Sequence, residues 1–222
     1  MTNGDDLAGL VCPLPLAHDE TIVMGHGSGG KMMQDLIARH FLPALDNPVL
    51  RTGDDAGVVE LPGGVRLAVS TDSHVVTPLF FPGGDIGRLA VCGTVNDVAM
   101  KGATPLFLTA GFVLEEGLPV STLGRVLESM HAAAAESGVQ VVAGDTKVVE
   151  RGKADGMYIN TAGIGPVRAG VEIGGARARP GDVLTEGHTG LDFDAHLLDH
   201  GDLLGQDVAR QAVLGDAHGH HS

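Results

Sequence analysis

Four short segments of this 222-residue chain each set an aspartate among small or hydroxyl-bearing residues. They are Gly53-Asp54-Asp55-Ala56-Gly57, Ser70-Thr71-Asp72-Ser73, Gly93-Thr94-Val95-Asn96-Asp97 and Gly144-Asp145-Thr146-Lys147. If Asp55, Asp72, Asp97 and Asp145 converge, they form an acidic pocket for a hard cation. Mg2+ suits it, because that ion takes a few carboxylates and completes its shell with substrate phosphates and water. ATP with Mg2+ is therefore the expected ligand. Any one aspartate alone is more often a cap or turn residue, so the joint occurrence carries the reading. Asp54 and Asp55 face opposite sides of an extended stretch, which leaves one of them as a direct ligand. Asn96 and Asp97, about 100° apart on a helix, can line one cleft. Lys147, one of four lysines, follows Asp145 by two residues and could contact phosphate or stabilise transition-state charge.

The elements that must position these groups can be read from periodicity. Thr21–Met24 is a strand candidate leading into a glycine-rich loop at 25–30. Met33, Leu36, Ile37 and Phe41 recur at helical spacing, with Pro43 expected to close that helix. Alternation at Leu67, Val69 and Thr71 predicts a strand whose end delivers Asp72. A Pro-Gly-Gly turn at 82–84 precedes a helix capped by Asp85, which carries Asn96 and Asp97 on its later turns. Leu106–Leu114 reads as a strand. Ser121 is the expected cap of a helix with a Leu123, Val126, Leu127 and Met130 stripe. A buried strand at Val139–Ala143 hands the chain to Gly144-Asp145, and Met157–Ile164 is another strand. Glu115-Glu116-Gly117 reads as a solvated turn. Strands and helices mix without regular βαβ repetition, which predicts an α+β layer fold with a mixed sheet.

The loop Gly25-His26-Gly27-Ser28-Gly29-Gly30-Lys31-Met32 matches two phosphate-loop patterns incompletely. Met32 replaces the Ser or Thr that a P-loop needs, and no acidic strand end follows at the dinucleotide spacing. A glycine loop covering a bound ligand fits better, with Gly27, Gly29 and Gly30 as backbone contacts and His26 placed for ligand contact. The net charge of −14 argues against general nucleic-acid binding, which needs clustered Lys and Arg. Cys12 and Cys92 form no CxxC pair, so neither a structural zinc nor a disulfide framework is expected. Without a basic leader or an apolar run of about 18 residues, the chain reads as cytoplasmic and free of membrane spans. The expected organisation is a leader at 1–20, an ATP-binding domain at 21–168, the start of a second domain at 169–184, and a tail at 185–222. That tail holds six of the eleven histidines.

Several longer runs then carry a resemblance. They are Ser70 to Gly87 (STDSHVVTPLFFPGGDIG), Gly93 to Ala99 (GTVNDVA), Phe112 to Pro119 (FVLEEGLP), Gly144 to Val149 (GDTKVV) and Ile159 to Gly165 (INTAGIG). With the glycine loop, they resemble the HypE family of hydrogenase maturation factors, over about residues 10–184. That family sits in a superfamily with aminoimidazole ribonucleotide synthetase, selenophosphate synthetase and thiamine-phosphate kinase. The resemblance implies an N-terminal ATP-binding α+β domain that pairs with a second copy through a barrel-like interface. It implies ATP-dependent dehydration of a cysteine-bound carboxamide to a thiocyanate, the source of the cyanide ligands of [NiFe]-hydrogenase. It further implies Asp55, Asp72, Asp97 and Asp145 as Mg2+-ATP ligands, with Ser70, Thr71 and Gly144 at the nucleotide and Lys147 acting on the activated amide or its phosphate. The HypF carbamoyltransferase and a HypC-HypD complex are the implied partners. Members of that family continue past Gly181-Asp182 into a second α+β domain and end in a cysteine. The tail found here instead is expected to reflect truncation or a frameshift. A non-catalytic ATP-binding or dimerising scaffold, or another ATP-using member of the superfamily, is the alternative.

Overall fold

Alternating burial along the central strands sets the frame of the structure. In β2 (Arg66–His74), buried Ala68, Ser70 and His74 alternate with exposed Val69, Thr71 and Ser73. In β7 (Met157–Pro166) the alternation is stricter, with residues 157, 159, 161, 163 and 165 all buried. This is the pattern of strands with one covered face and one open face. The computed structural model describes residues 20–177 and residue 179. Two compact units divide the chain, Met1–Asp46 and Asn47–Ser222. Residues 1–19 of the expected leader at 1–20, with Cys12 among them, residues 178 and 180–184 of the expected second-domain start, and the 185–222 tail lie outside the described residues.

In the second unit, β1 (Gly57–Glu60), β2, β7, β5 (Phe107–Glu115) and β6 (Gln140–Val149) form a sheet in the order β1-β2-β7-β5-β6. Neighbours are antiparallel except β5 and β6, which are parallel. A parallel pair needs a long crossover, and helix α4 (Val120–Glu136) supplies it. Helix α3 (Ile86–Ala99) and α4 cover one face, with Ile86, Val91, Leu108, Val126, Met130, Met157 and Ile159 in the shared core. The other face carries Val69 and Phe107, each about two-fifths exposed at 39% and 42%. The expected α+β fold with a mixed sheet and packed helices is the observed one.

Asp85 caps α3 as expected, accepting from the Gly87 and Arg88 amides at 2.7 and 3.2 Å. It follows a two-stranded hairpin, β3 (Phe80–Phe81) and β4 (Gly84–Asp85), over which the Arg125 guanidinium stacks at 3.9 Å from the Phe80 ring. Other expectations need correction. Helix α4 starts at Val120 behind Pro119, without a side-chain cap, so Ser121 lies inside it. The predicted buried strand at 139–143 is the exposed edge strand β6, whose Val141 and Val142 are 46% and 57% exposed; only Val139 is buried. Glu115 is more than a turn residue: its carboxylate accepts from the Gly152 and Gly156 amides and closes the loop before β7.

In the first unit, Thr21–Met24 forms no strand; a 3-10 turn at Met24–Gly27 stands there. Helix α1 (Lys31–Leu36) widens into a π turn at Ile37–Phe41 and resumes as α2 (Leu42–Leu45). Pro43 therefore begins a helical turn rather than ending one, since the widened turn before it reproduces the opening at a helix start that proline tolerates.

Candidate functional site

Asp97 reaches the site because α3 is pinned to the sheet one turn earlier. Ala90, Thr94 and Asp97 lie on one stripe, at i, i+4 and i+7. The Thr161 hydroxyl on β7 donates to the Ala90 carbonyl at 2.8 Å, so Thr94 must be the donor in the buried 2.6 Å contact between the two threonines. Asp72 belongs to the covered face of β2, where its Oδ2 lies 3.4 Å from His74 Nε2. Gly93 on α3 lets this cluster close, for a Cβ there would stand 3.0 Å from the His74 ring and 3.2 Å from Asp72 Oδ2. The Asp55 loop arrives from the β1 side. Ser70 Oγ lies 3.0 Å from the Asp55 carbonyl and 2.8 Å from Asp97 Oδ2. Both are acceptors, and one hydroxyl hydrogen serves one of them at a time.

Electrostatics mark the place further. Burial is the main reason that the Asp97 pKa is pushed up to about 6; Asp55 and Asp72 add to the rise, and the Ser70 hydroxyl opposes it. His74 is 6% exposed, and its Nε2 has no hydrogen-bond partner. Burial holds its imidazole below the usual range, against the opposite pull of Asp72. Among the described residues, the buried lysine Lys101 is taken by Asp54 at 2.7 Å and so is not available to Asp55, Asp72 or Asp97. Among the described residues no three metal-ligating side chains stand close enough to chelate a bare ion. Carboxylate-only donors short of a full set fit Mg2+ completed by phosphate oxygens and water.

The other expected residues fall elsewhere. Register puts Asp145 in one row with Gly111, Asn160 and Ser73, so it lies on the open face of the sheet. Lys147 shares that face, 3.5 Å from Asp145, with both side chains about 70% exposed at 72% and 69%. Three strand spacings, about 14 Å, separate β6 from β2. Asp55, Asp72 and Asp97 are thus brought together, and Asp145 is not. Gly144 sits on β6 opposite Ala110. Thr71 is on the open face, donating to the Thr161 carbonyl at 3.1 Å and accepting from Asn160 Nδ2 at 3.2 Å. Asn96 is buried on α3. In the first unit, Gly27 ends the 3-10 turn, Gly29 has φ +79° and Gly30 precedes α1. His26 Nδ1 accepts from the Val23 amide at 3.0 Å, which ties that nitrogen to its own turn.

Sequence reasoning missed His74 and Lys101. His74 was signalled by parity, since it stands two residues after Asp72 on a strand. Lys101, just past the end of α3, had only its scarcity as a signal.

Residues 53–167 match the family described as AIR synthase related protein, N-terminal domain. The chain belongs to this family. Among curated proteins, the AIR synthase related chain is 57% identical over 163 residues to the carbamoyl dehydratase HypE of Cupriavidus necator, covering 73% of this chain and 46% of that one. A solved HypE-HypF complex contains a chain matched at 51% identity with TM-score 0.62, over 69% of this chain and 48% of the other. A HypE structure in complex with ATP matches at 55% identity and TM-score 0.52, over 73% and 48%. The chain spans about half the length of these curated relatives. Among the described residues no helix is long and apolar enough to cross a membrane.

Proposed function

We propose that this chain binds Mg2+-ATP through Asp55, Asp72 and Asp97 and serves HypE-type maturation of [NiFe]-hydrogenase in the cytoplasm. The observation that carries the reading is the clustering of Asp97 with Asp55 and Asp72, from a helix, a loop and a strand, near enough for both to act on its charge. The ATP complex of a 55% identical HypE supports it. Asp55, Asp72 and Asp97 would hold Mg2+, which would supply positive charge for phosphoryl transfer. Ser70 would hold the Asp97 carboxylate in place, and Asp72 would keep its orientation against His74. Asn96 would add to the nucleotide contacts.

The reaction in this reading is dehydration. The oxygen of a carboxamide carried on a cysteine thiol accepts the γ-phosphoryl group of ATP, releasing ADP. Loss of that oxygen as phosphate, with the nitrogen giving up one proton in each of the two steps, leaves a thiocyanate. Lys147 would stabilise the charge on the transferred group. Because Lys147 and Asp145 occupy the open face, their part in the reaction requires a second copy. We propose a homodimer that packs this face and carries Thr71, Gly144, Asp145 and Lys147 of one copy toward the carboxylates of the other. HypF is the proposed partner on the strength of the HypE-HypF complex, and a HypC-HypD complex is a further proposed one.

Calorimetry with ATP, with and without Mg2+, tests the first step. Asp72→Asn should abolish Mg2+-dependent binding; unchanged affinity refutes the site. Phosphate release on a supplied carboxamide thiol then tests the chemistry.

A further inference from the structure

We propose that Lys101 and Asp54 form a clamp that positions the loop bearing Asp55 and couples it to the segment by which the chain leaves the sheet, given the Mg2+-ATP reading above. Lys101 lies two residues beyond α3 and is only 7% exposed. Its Nζ donates to Asp54 Oδ2 at 2.7 Å and to the Ile173 carbonyl at 2.5 Å. The Gly175 amide donates to Asp54 Oδ1 at 3.1 Å, so both carboxylate oxygens are engaged. The backbone at Gly174 comes so near that a Cβ there would stand 3.2 Å from Asp54 Oδ2 and 3.4 Å from Lys101 Nζ. Arg66 Nη1 holds the same segment by donating to the Val171 carbonyl at 3.0 Å.

An ion pair this buried is a weak source of stability, because desolvation offsets most of the attraction. Its worth lies in geometry: a largely buried polar network orients the groups that form it. Asp54 is drawn to Lys101 just before the chain bends at Asp55 and Ala56. Beyond Asp54, the Asp55 carbonyl stands beside Ser70. The clamp also decides which carboxylate is neutralised, and it is the one outside the candidate cation set. Release of residues 173–175 would free Asp54 and loosen the backbone of Asp55. Lys101 and Asp54 are positioning residues; neither touches nucleotide in this arrangement.

Lys101→Met and Asp54→Asn in the full chain test this in two ways. By hydrogen exchange, each variant should speed exchange at residues 54–56 and 174–176 together, about tenfold or more, with the β7 amides unchanged. Release of 174–176 with 54–56 as protected as before overturns the clamp, whatever the ligand. In ATP titrations, the Mg2+ concentration for half-saturation should rise about tenfold or more, with metal-free ATP affinity unchanged. An unchanged Mg2+ requirement overturns the positioning role. Absence of ATP binding by the parent chain refutes the nucleotide reading instead, and hydrogen exchange still decides the clamp. If Lys101→Met does not fold, the near-isosteric Asp54→Asn carries both measurements.

Discussion

At the scale of one residue, Asp97 is a carboxylate whose charged form the fold disfavours. Its folded pKa, pushed up to about 6, lies above the 3.8 of an unperturbed aspartate. Between those values the folded chain keeps a proton that the unfolded chain has released. Stability therefore falls as pH rises through that window, and the full penalty is present above it. Asp97→Asn should stabilise the chain by about 1 to 2 kcal/mol at pH 7.5, allowing for solvent screening of a half-exposed group. The gain should vanish near pH 4, and Mg2+-dependent ATP binding should be lost. Thermal melts at the two pH values check the sign; equal gains at both would refute the cause. That Asp97 would group with Asp55 and Asp72 was legible from their shared setting beside small residues. That Asp54 would be spent on Lys101 was not, because the partner lies 47 residues away and only the fold brings the two together.

At the scale of elements, the strands β2, β5 and β7 and both long helices were legible because their period-2 and period-3.6 patterns are strong. The failures lie where tertiary context overrules local pattern. Val139–Ala143 reads as a core strand on apolarity alone, yet among the described residues β6 is an edge strand of the sheet. Pro43 reads as a helix stop, and the π turn before it removes the reason. Glu115 reads as solvated, but its two carboxylate oxygens organise the loop that leads into β7. Glu115→Ala should leave the global melt nearly unchanged while speeding tryptic cleavage at Arg151 and Lys153 several-fold, as for a locally opened segment. Cleavage at the parent rate would show that the loop holds itself closed.

At the scale of the whole molecule, the expected site residues divide between two faces of one sheet. If Asp145 and Lys147 act in the pocket of a second copy, two defective chains can repair each other. Asp72→Asn and Lys147→Ala chains, each inactive alone, should recover about a quarter of parental activity when mixed and allowed to exchange. Random pairing makes half the dimers mixed, each with one intact site of two. No recovery, with mixed dimers demonstrated, would place each site within a single chain. The faces themselves depend on the register shift between Leu108 and Thr109, where β6 contributes one residue more than β5. Ahead of that shift, odd-numbered Val141 pairs with core-facing Leu108; beyond it, odd-numbered Asp145 and Lys147 pair with open-face Gly111 and Val113. Strand β6 therefore works as a counting device, and its arithmetic is unforgiving. One residue inserted after Ala143 would turn Lys147 toward the helices and present Thr146 in its stead, replacing an ammonium with a hydroxyl while every residue type in the motif stays the same.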